Sequence, residues 1–348
     1  MKFSFRLLTR IFFLIFVLGL FAVGGILAWF TSWRSDRLAA LDSASEIAKT
    51  SYGDVEYVRQ GEGPAVLVFH GAPGGYDQAA LMGERLIEAG MQVIAPSRPG
   101  YLRTPLDGGL TPEQQADLMA ALLDTLGVQQ VAVMGASAGA PAAIQFALRH
   151  PQRLRTLVLI SPMLKRWVPN PETAQFGRLV LGHLTGDVGS WLAVEGVARD
   201  PRRVLEGFLE FSSRGDATER EIIVRSVLND PAQLEWFRDW IGTFAPLSPR
   251  ESGTRNDLLQ LSALPAIPFG KISVPTLVIL GAEDPCVPLE EAQIAVKKIP
   301  TATLFTAEGA GHLVEIGPQA VQVNEAIRKF LNQRVPNSGA AAAETDQN

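Results

Sequence analysis

Short apolar runs recur along the chain from residue 65 onward, each bounded by polar or turn-forming residues. They are Ala65–Phe69 (AVLVF), Gln92–Ala95, Gln130–Met134 (QVAVM), Thr156–Ile160 (TLVLI), Thr276–Leu280 (TLVIL) and Ala302–Phe305. Several are apolar without alternation, which is the pattern of strands buried on both faces of a parallel sheet. Helical stretches lie between them. Thr111-Pro112-Glu113-Gln114 predicts a helix start, with a hydroxyl cap, a proline in the first turn and a glutamine three residues after the cap. Leu118, Leu122, Leu123 and Leu126 then follow at helical spacing. Strands alternating with helices predict an α/β architecture, a mostly parallel central sheet with helices on both faces. One stretch breaks the alternation. From Met163 to Phe269 there is no convincing strand, but amphipathic segments such as Glu219–Leu228 and Ala232–Ile241 recur, predicting a helical insertion between two sheet strands. The tail after Val335 (PNSGAAAAETDQN) is small and polar and is expected to be disordered.

The first thirty residues have a different pattern. A basic start (MKFSFRLLTR) leads into the uncharged run Ile11–Phe30. At about 1.5 Å per residue, about twenty helical residues span a hydrocarbon core of roughly 30 Å. Trp29 and Trp33 stand where an interfacial aromatic belt would be. A cleaved signal peptide is the alternative, but its apolar region is usually only about 7–15 residues long. No clear small-x-small cleavage site follows the run. The expectation is therefore a single-pass anchor, with the cationic N-terminus cytoplasmic and the bulk of the chain on the far side, periplasmic or extracellular. Arg34 and Arg37 reduce that charge bias. The expected organisation is a membrane anchor over 1–34, a core over 52–162 and 270–332, a helical insertion over 163–269 and a tail over 336–348.

Composition narrows the function. Of 348 residues, 47% are hydrophobic and 19% charged, a globular balance. The net charge is −5, and the first thirty residues carry Lys2, Arg6 and Arg10 and no acid, so the remainder is more acidic still. Such a chain, with no basic tract, is a poor nucleic-acid binder, because phosphate neutralisation supplies that affinity. The single cysteine, Cys286, excludes an internal disulfide framework and a Cys-based metal cluster.

Candidate chemistry begins at Gly135-Ala136-Ser137-Ala138-Gly139, a G-x-S-x-G pattern lying directly after the run QVAVM and before a helical stretch. A sharp strand-to-helix turn of this kind lifts a serine hydroxyl above a sheet, and small neighbours are needed because the backbone is strained and closely packed. Ser137 could instead merely cap a helix. The strand–turn–helix context, with Pro141 in the first helical turn, favours a nucleophile. Attack on a carbonyl requires two N–H donors for the developing oxyanion. Ala138, next after the serine, is placed to supply one. The other would come from the loop His70-Gly71-Ala72-Pro73-Gly74-Gly75, with Ala72 the best candidate. That loop lacks the GxxxxGK[ST] and GxGxxG patterns of phosphate-binding turns.

Four histidines compete to be the base. His150 ends a helix, where an imidazole commonly meets carbonyls. His183 lies in the insertion with no evident partner, and His70 is better suited to shaping its loop. His312, in Gly309-Ala310-Gly311-His312, follows the last strand and precedes a helix beginning near Pro318. Asp284, in Gly281-Ala282-Glu283-Asp284, follows TLVIL at a strand's carboxyl end, where such sheets place their ligands. It is the candidate to orient the imidazole, with Glu283 as a neighbouring decoy. The chain order is then Ser137, Asp284, His312. No metal or organic cofactor is called for, since HExxH and paired His/Cys ligands do not occur. Trp167, Trp191, Trp236 and Trp240 fall in the insertion. They either line a pocket for an apolar acyl or aryl group, or build the core of a small helical layer, which is the simpler account. Arg166, Arg199, Arg202 and Arg203 could bind a carboxylate but read more simply as solvated surface.

With His70–Gly75 (HGAPGG), Ser97–Tyr101 (SRPGY), Gly135–Gly139 (GASAG), Gly281–Pro288 (GAEDPCVP) and Gly309–His312 (GAGH) in hand, the chain resembles the serine-nucleophile branch of the α/β-hydrolase family, with a helical cap, over about residues 52 to 332. The resemblance implies a Ser137–Asp284–His312 triad, an oxyanion hole at Ala72 and Ala138, and a cap over Met163–Phe269. The expected activity is hydrolysis of small esters or related acyl compounds. Aminopeptidase and carbon–carbon hydrolase activities on the same triad, and a non-catalytic binding member, are the alternatives. HGAPGG looks like the aminopeptidase and epoxide-hydrolase side of the family, but epoxide hydrolases and haloalkane dehalogenases attack with aspartate, and position 137 is serine.

Overall fold

The computed structural model describes residues 2–168 and 183–333. The tail from 336 to 348 and the first part of the insertion, 169 to 182, lie outside the described residues. The chain divides into two compact units, one ending at Ser43 and one beginning at Ala44.

The first unit is a single helix, α1 (Lys2–Ser43), of 42 residues. From Leu7 onward it is long and apolar enough to cross a membrane, with a mean hydropathy of 2.8 in its most apolar window. Length and composition suit either a membrane span or a signal sequence. The helix continues past residue 34, through a run of Arg, Leu and Ala that favours helix without being apolar enough to lengthen the span.

The second unit is built on an eight-stranded sheet. In chain order the strands are β1 (Glu46–Thr50), β2 (Gly53–Gln60), β3 (Ala65–Phe69), β4 (Gln92–Pro96), β5 (Val131–Ala136), β6 (Leu154–Ile160), β7 (Thr276–Gly281) and β8 (Ala302–Ala307). Their spatial order is β1-β2-β4-β3-β5-β6-β7-β8. The six strands from β3 to β8 run parallel, as the uninterrupted apolar runs predict. β3 and β5 are buried along their whole length. The pattern did not announce β1 and β2, which add an antiparallel edge. β1 buries only Ala48, so its sequence carries no apolar signal. β2 buries a glutamate, Glu56, which accepts hydrogen bonds from Arg103, Ser45 and Ser97.

Five helices accompany these strands: α2 (Tyr76–Glu88), α3 (Pro112–Thr125), α4 (Ala140–Arg149) and, nearer the C-terminus, Leu289–Lys298 and Ala320–Asn332. α3 starts as its sequence predicts. The Thr111 hydroxyl accepts from the Gln114 N–H, and the Gln114 side chain accepts from the Thr111 N–H.

Between β6 and β7 lie the described helices of the insertion, α5 (His183–Arg199), α6 (Pro201–Ser212), α7 (Ala217–Asn229), α8 (Pro231–Gly242) and α9 (Glu251–Ser262). Asp200, Asp216 and Asp230 cap α6, α7 and α8, each accepting from backbone N–H groups of the first turn. The insertion has its own core of Leu205, Phe208, Leu209, Val224, Val227, Trp236 and Phe237, with Trp240 packed against it. The Trp240 ring meets Phe208 edge-on at 4.9 Å and Phe244 at 4.3 Å. Trp236 and Trp240 thus serve the helical layer itself, while Trp167 packs against the main core. Replacing the fully buried Phe237 by alanine is expected to cost about 3–5 kcal/mol. A urea-unfolding midpoint unchanged from wild type would contradict this placement of the core.

Candidate active site

β5 ends at Ala136 and α4 begins at Ala140, so the chain must reverse direction within three residues. Ser137 makes the turn with φ at +47°, a left-handed conformation that a residue with a β-carbon adopts only at a cost of about 1–3 kcal/mol. The strain presents the side chain at the carboxyl end of the sheet, where Ser137 remains partly exposed. Gly139 makes the turn possible. A β-carbon there would lie 2.3 Å from the His70 carbonyl oxygen, so only glycine lets α4 pass so close to the end of β3.

The structure brings Ser137 and His312 together. His312 Nε2 is 2.9 Å from Ser137 Oγ, and His312 Nδ1 is 2.8 Å from Asp284 Oδ2. Because a carboxylate can only accept, the Nδ1 proton belongs to the Asp284 bond and Nε2 is left to accept from the serine hydroxyl. The other carboxylate oxygen of Asp284 accepts from the Cys286 N–H at 2.7 Å and the Val287 N–H at 3.0 Å, which fixes the side chain's rotation. Glu283, the decoy, is not part of this chain of bonds. At Gly281 a β-carbon would lie 2.1 Å from the Gly311 carbonyl oxygen, so the histidine loop can cross the end of β7 only because position 281 has none. That loop is tied down on two sides. The His312 N–H donates to Ser212 O at the end of α6, and the Ser161 hydroxyl donates to His312 O, both at 2.7 Å.

Two opposing effects act on His312. Burial disfavours its charged form, but the Asp284 carboxylate, with a smaller contribution from Glu315, outweighs burial and holds the imidazole pKa above its ordinary value. Burial pushes the Glu315 carboxyl itself up to about 7, against the opposing pull of His312. His70 is the contrary case. It is completely buried, and burial followed by the nearby Arg98 charge drives its pKa well below the ordinary value. Its Nε2 accepts from the Arg98 N–H at 2.9 Å, and its Nδ1 donates to Gly71 O at 2.7 Å, so it shapes the loop as a neutral group. His150 is bonded to Asp117 at 2.8 Å, away from the other three groups. The side chain of His183 lies outside the described residues.

The donors named for an oxyanion are backbone groups. In the short helical turn Ser137–Gly139, the first internal donor is the Ala140 N–H, bonded to Ser137 O, so the Ala138 N–H precedes the intrahelical bonds. The Ala72 loop comes alongside, since a β-carbon on Gly71 would lie 3.4 Å from Ser137 Cβ. Asp284, Cys286 and His312 have ligand atoms within 4.8 Å of one another, the one such group among the described residues. As a resident metal site it fits poorly. Asp284 and His312 already bond each other, and burial, followed by the Asp284 charge, pushes the Cys286 thiol up to about 12.

With this geometry in place, comparison with known proteins decides the family. Residues 64–316 match the sequence profile described as alpha/beta hydrolase fold. The chain is an α/β hydrolase. This α/β hydrolase is 28% identical over 283 residues to the uncharacterized hydrolase YcgS of Bacillus subtilis (strain 168), covering 80% of its own length and 95% of the relative's. It is also 28% identical to a 2-hydroxymuconate semialdehyde hydrolase of Pseudomonas putida over 275 residues, 78% of this chain and 88% of the other. Identity rises to 32% over 233 residues with the pimeloyl-[acyl-carrier protein] methyl ester esterase of Aromatoleum aromaticum, covering 65% and 82% of the two chains. Among solved structures, an alpha/beta hydrolase fold protein from Nakamurella multipartita superposes with a TM-score of 0.75 at 29% identity, covering 82% of this chain and 98% of that one.

Sequence reasoning did not name the buried polar groups that surround these loops: Arg98, Gln78, Asp257, Arg250 and Glu315. Arg98 lay inside a quoted motif, but its partner Asp257 is 159 residues away and stands out by no local pattern. An NMR titration of the imidazoles is expected to show His312 titrating above the ordinary value of about 6.5. His70 should stay neutral across the same range, and Glu315→Gln should move His312 downward. A His312 that titrates below 6.5 would contradict the dominance of Asp284.

Proposed function

We propose that this α/β hydrolase is a serine hydrolase cleaving small carboxylic esters or related acyl compounds. The observation that carries the reading is the unbroken chain of bonds from the partly exposed Ser137 hydroxyl through His312 to Asp284. His312 takes the serine proton as Oγ attacks the carbonyl carbon, and Asp284 holds the required tautomer and stabilises the imidazolium that forms. The Ala72 and Ala138 amides hold the oxyanion. Collapse of the tetrahedral species expels the alcohol, which takes the proton from His312. Water then repeats the sequence on the acyl-enzyme, with His312 again as base, and frees the acid and Ser137. Because His312 must be neutral to act as base and its pKa is raised, kcat/KM should climb with pH through a value above about 6.5 and then level off.

A second reading keeps the same three residues but breaks a carbon–carbon bond. It is favoured by the similarity, over 78% of the chain, to the P. putida semialdehyde hydrolase. The ester reading is preferred because the relative with the higher identity is a methyl ester esterase. We also propose that α1 anchors the protein as a single span with the hydrolase unit on the far side of the membrane, supported by its length and its basic start.

Ser137→Ala is expected to lower ester turnover by about three decades or more while leaving the unfolding transition in place, since losses within such triads are of that scale. A fluorophosphonate probe should label the wild-type protein at Ser137, as peptide mapping would locate. Unchanged turnover in the variant would remove the nucleophile. A p-nitrophenyl ester series of increasing chain length, run beside a dienol-type diketone, separates the two readings. Turnover of the diketone alone would overturn the ester assignment.

A further inference from the structure

Side chains behind the loop that carries Ala72 hold four of its carbonyls. His70 O accepts from Arg98 Nε at 2.9 Å, and the Gly71 N–H donates to Gln78 Oε1 at 2.9 Å. Gly71 O accepts from His70 Nδ1 at 2.7 Å and from Arg98 Nη2 at 3.3 Å. Pro73 O accepts from Gln78 Nε2, and Gly74 O from Arg250 Nη1. The Ala72 N–H has no partner among the described residues.

Geometry links these facts. The Gly71–Ala72 peptide is trans, so the Gly71 carbonyl and the Ala72 N–H point in opposite directions from one rigid plane. Whatever holds the carbonyl therefore aims the amide. Arg98 is one of the two groups that hold it, and Arg98 is itself held from the insertion. Its Nη1 and Nη2 bond Asp257 Oδ1 and Oδ2 at 2.8 and 2.5 Å, a bidentate pair with side chains 1% and 5% exposed. The Tyr101 hydroxyl donates to the same carboxylate at 2.5 Å. A guanidinium is the group that can do this, because it grips a carboxylate with one edge and leaves Nε for the loop. Asp257 belongs to α9, which also packs beside Ala138. The small cleft there, whose lining includes Ala138, Pro141, Arg98, Asp257 and Leu261, holds only about 10 Å³, room for no more than a single water.

We propose that Asp257, acting through Arg98, is a positioning residue for the oxyanion hole, aiming the Ala72 amide so that the hole is complete only with α9 seated against Arg98. The proposal rests on Ser137 being the nucleophile. An insertion that served only to cover substrate would not need to bond the loop behind the reacting carbonyl.

The test uses the full chain with three variants. Asp257→Asn keeps the shape and removes the charge. Arg98→Lys keeps a charge but loses the forked grip. The double variant Arg98→Met/Asp257→Leu removes both charges together, an exchange that buried pairs often tolerate. For each variant that retains the wild-type near-ultraviolet circular dichroism, kcat and KM on p-nitrophenyl acetate are measured beside the affinity for an acyl trifluoromethyl ketone. That compound adds the serine hydroxyl to its carbonyl and places the resulting oxyanion in the hole. The expected result is a kcat about 10²–10³-fold lower with KM nearly unchanged, the scale of losing one such donor. Ketone affinity should fall in step with kcat. A folded double variant with wild-type kcat, or a loss confined to KM, overturns the positioning role. If the wild-type protein takes no fluorophosphonate label at Ser137, the nucleophile reading fails first and this proposal falls with it.

Discussion

Ser137, His312 and Asp284 meet because three segments of chain reach the same edge of one sheet closer together than side chains ordinarily allow. The turn after β5 forces Ser137 into a left-handed backbone conformation, and its tightness leaves no room for a β-carbon at Gly139 beneath the His70 carbonyl. Across the sheet, the loop carrying His312 passes over the end of β7 at a distance that only Gly281 permits. The strain at Ser137 is local and costs about 1–3 kcal/mol, small beside the packing of the strands on either side of it. The parallel strands from β3 to β8 supply the rigidity. Their carboxyl ends are the one place in such a sheet where loops from non-adjacent segments converge without having to cross.

Around that edge the protein has buried charge that a simple core would avoid. Arg98 and Arg250 are both fully buried, each paired between the insertion and the sheet region: Arg98 with Asp257 of α9, and Arg250 of the insertion with Asp77 at the start of α2. Removing one partner of such a pair typically costs about 3–5 kcal/mol, whereas replacing both by apolar groups is often neutral. Stability alone therefore gives little reason for them. What they do provide is direction, since each guanidinium also donates to carbonyls of the loop from His70 to Gly74, Arg98 to His70 O and Gly71 O and Arg250 to Gly74 O. The insertion also reaches the other side of the edge, through Ser212 O accepting from His312 and Gln233 accepting from the Gly317 N–H. It has its own aromatic core, yet it lies within the same compact unit as the sheet.

The sequence made much of this legible because the signals were local. Uninterrupted apolar runs located the parallel strands from β3 to β8, the Thr111–Gln114 capping box located the start of α3, and amphipathic spacing located α7 and α8. Ser137, Asp284 and His312 could be named because each sits in a short motif just after an apolar run. β1 and β2 escaped notice because an edge strand that buries one alanine, and a neighbour that buries a glutamate, carry no alternation to read.

The class of sheet, the position of the insertion, the apolar N-terminal helix and the residue types offered to the site could all be read from the order of amino acids. Each of these depends on composition within a window of a few turns or one strand. The folded structure alone revealed how closely His312 approaches the serine, that His70 is sealed away as a neutral group, and that Arg98 pairs with Asp257 across 159 residues. Burial and hydrogen-bond direction are properties of the folded neighbourhood. A charged residue in a helix interior looks the same in sequence whether it meets water or a guanidinium.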